Sequence, residues 1–292
     1  IFMRRLYFSC WILLLASGSM AQKQIYSASN AHSHNDYEQK QPFDLAYSEQ
    51  FGSIEADIHL KEGQLFVAHD EKDINTDKTL RKLYLDKIEA KLNANGGSIY
   101  KGNSVVVQLL IDIKSEASPT LDVLVNLLKE YPAITRQKGI RIVITGNRPP
   151  ESRYTDYPAY IHFDGRLTMN YDVTALSRID LLSDDFNNYS NWNGEGELPV
   201  ADSQKLARVI TRAHGSKKRV RFWAIPDQPN AWRQMMQLGV DYINTDHVAE
   251  LSAYLRDPVF FTREKRLASL LLHNENEVMM PPNRIMRSAG SV

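Results

Sequence analysis

Val105-Val106-Val107-Gln108-Leu109-Leu110-Ile111-Asp112-Ile113-Lys114 is apolar almost to its end and rich in β-branched side chains. Such a run is expected where both faces of a parallel strand are covered, because neither face then meets water. Upstream, Ser53-Ile54-Glu55-Ala56-Asp57-Ile58-His59 reads as a second strand. Further β-like runs fall at 25–32, 141–145, 160–163, 181–185, 220–224 and 242–245, and helical patterns lie between them at 43–50, 121–129, 201–213 and 232–238. Strands alternating with helices signal βα units and a parallel sheet. The strand candidates number eight and the chain has 292 residues, which fits one α/β domain closed as a (β/α)8 TIM barrel of roughly 250 residues. An open doubly wound sheet shows the same alternation. Against it, there is no glycine-rich loop after the first strand and no Gly-Lys-Ser/Thr phosphate cradle.

The chain is 43% hydrophobic and 24% charged, enough for a large core, and its formal net charge of +0 lacks the basic excess of a nucleic-acid binder. Met3-Arg4-Arg5, the apolar stretch from Leu6 to Ala16 and the small residues up to Ala21 read as a signal peptide over 1–21. The apolar part is too short to span a bilayer. The single cysteine, Cys10, falls inside it. These features predict a secreted or periplasmic, bacterial protein without disulfides. The barrel is expected over 22–257, with a C-terminal helix and tail over 258–292.

Active groups of such barrels gather at the carboxyl ends of the strands. Glu55 and Asp57 are two apart, so they share a strand face, while Ile54, Ala56 and Ile58 point into the helix layer. Asp112 and Lys114 repeat the spacing. Carboxylates brought together at a barrel mouth need a compensating cation, and oxygen ligands suit Ca²⁺ or Mg²⁺. His34 and His69 each follow a strand-like run. A histidine pair supplies the acid and base that a phosphodiester needs.

The block Ser33-His34-Asn35-Asp36-Tyr37 resembles the Ser-His-Asn-x-Tyr element of phosphoinositide phospholipases C. Glu55-Ala56-Asp57, His69-Asp70, Asp112-Ile113-Lys114, Phe222-Trp223 and Gly239-Val240-Asp241-Tyr242-Ile243-Asn244-Thr245-Asp246 follow the order seen in glycerophosphodiester phosphodiesterases. The resemblance is to a Ser-His-Asn-Asp-Tyr branch of that superfamily. It implies His34 and His69 as the acid–base pair and Glu55, Asp57 and Asp112 as metal ligands, with Asn35 a fourth. It also implies Lys114 as a phosphate contact and Trp223 as a substrate wall. Arg148, placed after the fourth strand, is a second candidate phosphate contact. The implied substrate is a small-molecule or lipid phosphodiester, cleaved by way of a cyclic phosphate where a hydroxyl neighbours the phosphorus. No amphipathic basic helix marks a stable membrane anchor.

One departure is that glycerophosphodiesterases carry arginine directly after the first histidine, where Asn35 stands here. Two other readings compete. His32-x-His34 also begins the zinc site of amidohydrolase and polymerase-histidinol-phosphatase barrels, with His162 and Asp246 as loose further matches. A non-catalytic barrel that binds a phosphorylated headgroup is the other.

Overall fold

A computed structural model describes residues 25–257. The expected signal peptide and the expected C-terminal helix and tail lie outside the described residues. The strands are β1 (Ala31–Ser33), β2 (Ser53–Lys61), β3 (Gln64–Val67), β4 (Val107–Ile113), β5 (Ile140–Gly146), β6 (Ile161–Arg166), β7 (Ile179–Asp185), β8 (Arg219–Trp223) and β9 (Ile243–Thr245). They hydrogen-bond in the order β8-β7-β6-β5-β4-β2-β1-β9, and β3 stands off this path as an antiparallel partner of β2. Every other pairing is parallel. The ends of the path meet at a single parallel bridge, Arg221 to Tyr242, where Asp241 and Tyr242 both donate their amides to the Val220 carbonyl. The result is a nearly closed eight-stranded parallel barrel with one external hairpin.

The helices are α1 (Asp44–Ser48), α2 (Asp86–Ala94), α3 (Ala117–Leu128), α4 (Pro132–Arg136), α5 (Val173–Arg178), α6 (Val200–Gly215), α7 (Pro229–Leu238) and α8 (Val248–Arg256). In α3 the buried Leu121, Leu124 and Leu128 recur at helical spacing, so one stripe faces the sheet. In α7, proline opens the first turn and Gly239 ends the helix with φ of 88°, a left-handed cap that glycine adopts without a Cβ penalty.

Period-two alternation divides each strand between two environments. Ile54, Ala56, Ile58, Leu109, Ile111 and Ile113 join the core beneath the helices. The alternate positions point into the lumen, where Leu110, Val143, Leu181 and Tyr242 form a small separate apolar plug. Beside that plug the lumen is lined by polar side chains.

The first strand is shorter than the 25–32 run suggested. Ser27 and Asn30 form a reciprocal capping box around a short helical turn at Ala28–Asn30. These local side-chain bonds compete with the ladder and delay the strand to Ala31.

Candidate active site

The three carboxylates predicted to converge do so. Glu55 and Asp57 on β2 and Asp112 on β4 place one oxygen each within 4.8 Å of one another. Asp57 and Asp112 are direct register partners. Each carboxylate has one oxygen held by donors and one left bare. Glu55 Oε2 faces His32 Nε2 at 2.7 Å and accepts from Arg221 Nη1 at 2.9 Å. Asp57 Oδ2 accepts from Tyr37 at 2.8 Å and pairs with Lys114 Nζ at 3.0 Å. Asp112 Oδ2 accepts from Lys114 at 2.9 Å. Asp57 Oδ1 and Asp112 Oδ1 are buried without a hydrogen-bond partner. A buried, bare carboxylate oxygen is expensive unless something positive meets it, so this all-oxygen set fits a hard divalent cation. Gly146, at φ of 70°, makes room for it, since a Cβ there would stand 1.9 Å from Asp112 Oδ1.

The electrostatics follow the same division. Burial, then the neighbouring Glu55 and Asp112, push Asp57 up to about 7 against the pull of Lys114. Burial also acts to raise Glu55, but Arg221 and His32 outweigh it and hold this carboxyl well below the usual range. Lys114 is desolvated, yet Asp57 and Asp112 raise it above its ordinary value.

The loop after β1 explains its own sequence. Asn35 adopts a left-handed conformation at φ of 44°, which asparagine tolerates. The Tyr37 hydroxyl lies 2.9 Å from Asn35 Oδ1 and 2.8 Å from Asp57 Oδ2, so it joins the loop to the carboxylate set. Asp36 is fully buried and accepts from Ser33 Oγ, Tyr84 Oη and the Phe43 amide at 2.8, 3.0 and 2.6 Å. In this motif Ser33 and Asp36 hold the loop, while His34 and Asn35 face the site.

His34 sits at the rim with its Nδ1 2.8 Å from Asp246 Oδ1 and its side chain 26% exposed. Burial acts to lower the imidazole, but the bond to Asp246 and the nearby Glu55 outweigh it and hold it above its ordinary value. His69 lies on the turn after β3, 55% exposed, with Nδ1 3.3 Å from Asp70. It shares a cavity of about 370 Å³ with Tyr37, Gln39 and Leu83. Trp223 ends β8 at the mouth, with the Arg166 guanidinium 4.7 Å above its ring. Arg148 buries Nη1 without a partner. Lys114, expected on phosphate, rests its Nζ on two carboxylates, 3.0 Å from Asp57 Oδ2 and 2.9 Å from Asp112 Oδ2.

His162 does not join the site. Its surroundings are Asp180, Arg141, Arg178 and Lys218, at the opposite end of the barrel. The zinc-barrel reading thereby loses its later histidine. Sequence reading took His32 only into the competing zinc-barrel reading, and it passed over Arg221 and the pairing of Asp246 with His34. The signal for Arg221 was present: Arg219, Arg221 and Trp223 alternate along one strand face.

A (β/α)8 barrel with an acidic metal-type site and a carboxylate-backed histidine at its mouth defines the class. Residues 21–149 match the AIM6-like phosphodiesterase domain, and residues 219–249 match the glycerophosphoryl diester phosphodiesterase family. Both matches liken the chain to the superfamily of glycerophosphodiester phosphodiesterases and phosphatidylinositol phospholipase C-like proteins. Among curated proteins it is similar to Altered inheritance of mitochondria protein 6 of Eremothecium gossypii, 27% identical over 76% of this chain and 68% of that protein. The Kluyveromyces lactis protein of the same name is 27% identical over 77% of this chain and 72% of its own length. Among solved structures, a glycerophosphodiester phosphodiesterase from Parabacteroides distasonis aligns with a TM-score of 0.49 and 16% identity, over 77% of this chain and 94% of its own.

The curated relatives correct the expected location. They are fungal proteins, eukaryotic and named for mitochondrial inheritance, which overturns the reading of a bacterial secreted or periplasmic protein. No helix among the described residues is long and apolar enough to cross a membrane.

Proposed function

We propose that this chain hydrolyses a phosphodiester of the glycerophosphodiester or phospholipid-headgroup class, using a divalent cation, Ca²⁺ or Mg²⁺, held by Glu55, Asp57 and Asp112 with Asn35 as a fourth ligand. The observation that carries this reading is the set of three converging carboxylates, two of which keep a buried oxygen without a donor. When bound, the cation neutralises charge on the phosphate oxygens. The remaining chemistry belongs to side chains. Asp246 occupies Nδ1 of His34, so Nε2 is the nitrogen that takes or gives the proton at the reacting oxygen. His69, on the turn after β3, serves the other proton transfer. Lys114, at the edge of the carboxylate set, would hold a phosphate oxygen, and Arg148 supplies a second cationic contact. Trp223 forms an apolar wall for the group beside the phosphorus. Where the substrate has a neighbouring hydroxyl, the first product is a cyclic phosphate.

The test is turnover of bis(p-nitrophenyl) phosphate and of glycerophosphodiesters after chelation, with Ca²⁺, Mg²⁺ or Zn²⁺ restored singly. Cleavage restored by Ca²⁺ or Mg²⁺ is expected, and His34→Ala or His69→Ala should lower it by roughly 100-fold or more. Tight zinc retention without diester cleavage would overturn the reading.

A further inference from the structure

Among the described residues His32 is the most buried histidine, fully enclosed in the lumen directly behind Glu55. It makes two short side-chain contacts, Nε2 to Glu55 Oε2 and Nδ1 to Ser53 Oγ, each at 2.7 Å. Ser53 Oγ in turn lies 2.9 Å from Gln108 Nε2. All of these groups are buried, and Arg221 closes the set from the far side of the lumen with Nη1 2.9 Å from Glu55 Oε2.

The hydrogen positions follow from these distances. A neutral imidazole carries one N–H. Two lone pairs would repel at 2.7 Å, so the hydrogen must sit on Nε2 and point at the Glu55 carboxylate. Nδ1 is then an acceptor, and the Ser53 hydroxyl donates to it. The lone pairs left on Ser53 Oγ accept from the Gln108 amide. Every donor therefore points the same way, from Gln108 through Ser53 and His32 to Glu55. Arg221 Nη1 lies 2.8 Å from His32 Nε2, but its hydrogen belongs to Glu55, because Nε2 has no lone pair to offer.

Both donors land on one oxygen of Glu55. His32 and Arg221 each meet Oε2, and no donor among the described residues meets Oε1. A carboxylate gripped this way cannot rotate without breaking two buried charge-assisted bonds, so the direction of Oε1 is fixed, in a residue that has one oxygen within 4.8 Å of those of Asp57 and Asp112.

We propose that His32, oriented by Ser53 and Gln108 and flanked by Arg221, is a positioning residue that locks Glu55 with one oxygen presented to the cation. This rests on the reading of Glu55 as a metal ligand. His32 takes no part in proton transfer, since both of its nitrogens are committed. Partners behind a metal ligand fix its orientation and commonly govern affinity as strongly as a ligand does.

The test is calorimetric titration of Mg²⁺ and of Ca²⁺ into the chelated full chain, comparing wild type with His32→Leu, His32→Gln and Glu55→Gln. Glutamine keeps an N–H near the position of Nε2, whereas leucine keeps only the volume. His32→Leu should weaken cation affinity about 10- to 100-fold, while His32→Gln stays within about threefold of wild type. Leucine and glutamine weakening it equally, or leucine leaving it unchanged, would overturn the proposal. If Glu55→Gln binds the cation as wild type does, the ligand reading itself falls, which is a separate outcome. Should His32→Leu fail to fold, Ser53→Ala, which removes the donor to Nδ1, is expected to weaken affinity about 10-fold, and unchanged affinity would overturn the proposal.

Discussion

Tyr37 has one hydroxyl hydrogen and two oxygens within reach, Asn35 Oδ1 and Asp57 Oδ2, so a rim loop and a strand carboxylate answer to the same donor. Pairings of this kind are where function depends on single atoms, and Asp246 with His34 is the clearest. Replacing Asp246 by asparagine removes the charge that holds the imidazole above its ordinary value. Whichever limb of the kcat/KM profile follows His34 should then move to lower pH, whether the histidine acts as base or as acid. A pH–rate profile checks this, and an unmoved limb would separate His34 from proton transfer. The residues with chemistry at strand ends were legible from spacing alone: Glu55, Asp57 and Asp112 do meet. Their partners were not. Arg221 lies 166 positions from Glu55 and His34 lies 212 from Asp246, and only barrel closure brings such pairs together.

At the scale of elements, long apolar strands were read within a residue or two, because burial on both faces leaves an uninterrupted pattern. β4 was expected over 105–113 and runs Val107–Ile113. Short helices such as α4 and α5 were missed, since five or six residues cannot display a period. β5 shows how an element end serves the site. It closes on Gly146 in the left-handed region, where an added Cβ would meet Asp112 Oδ1 at 1.9 Å and the Ile113 carbonyl at 2.6 Å. Gly146→Ala should therefore destabilise the protein by more than about 1 kcal/mol and displace the Asp112 carboxylate. Denaturant unfolding and cation titration together check it. Wild-type values in both would show that the close approach is without consequence.

For the whole molecule, the proposed cation reading predicts that the carboxylate set makes stability depend on cation and pH together. Burial and the neighbouring carboxylates push Asp57 up to about 7 in the folded chain, against about 3.9 for an unfolded aspartate. Between those values the folded state holds a proton that the unfolded state has released, so this group's contribution falls as pH rises. His32, lowered to about 4 by burial and Arg221, works in the opposite sense over part of that range, so the comparison must cancel it. In chelator, the melting temperature of Asp57→Asn relative to wild type should climb from pH 4 to pH 7. A saturating cation at neutral pH should then reverse the gap by stabilising wild type, by about 2.7 kcal/mol at a hundredfold excess over Kd. A gap that stays flat with pH would mean Asp57 titrates as an ordinary carboxylate.

The barrel is joined along most of its circumference by continuous ladders, but β8 and β9 meet at one bridge. Arg221 leaves that weak seam and crosses the interior to Glu55 on the second strand, like a spoke bracing a hoop where its ends are lapped. The same guanidinium thus fastens the ring and fixes Glu55 by its Oε2. During folding, a chain whose eighth strand has yet to dock holds Glu55 without its counter-charge. On the proposed reading of Glu55 as a cation ligand, the orientation that Arg221 gives it is complete only once the hoop has closed.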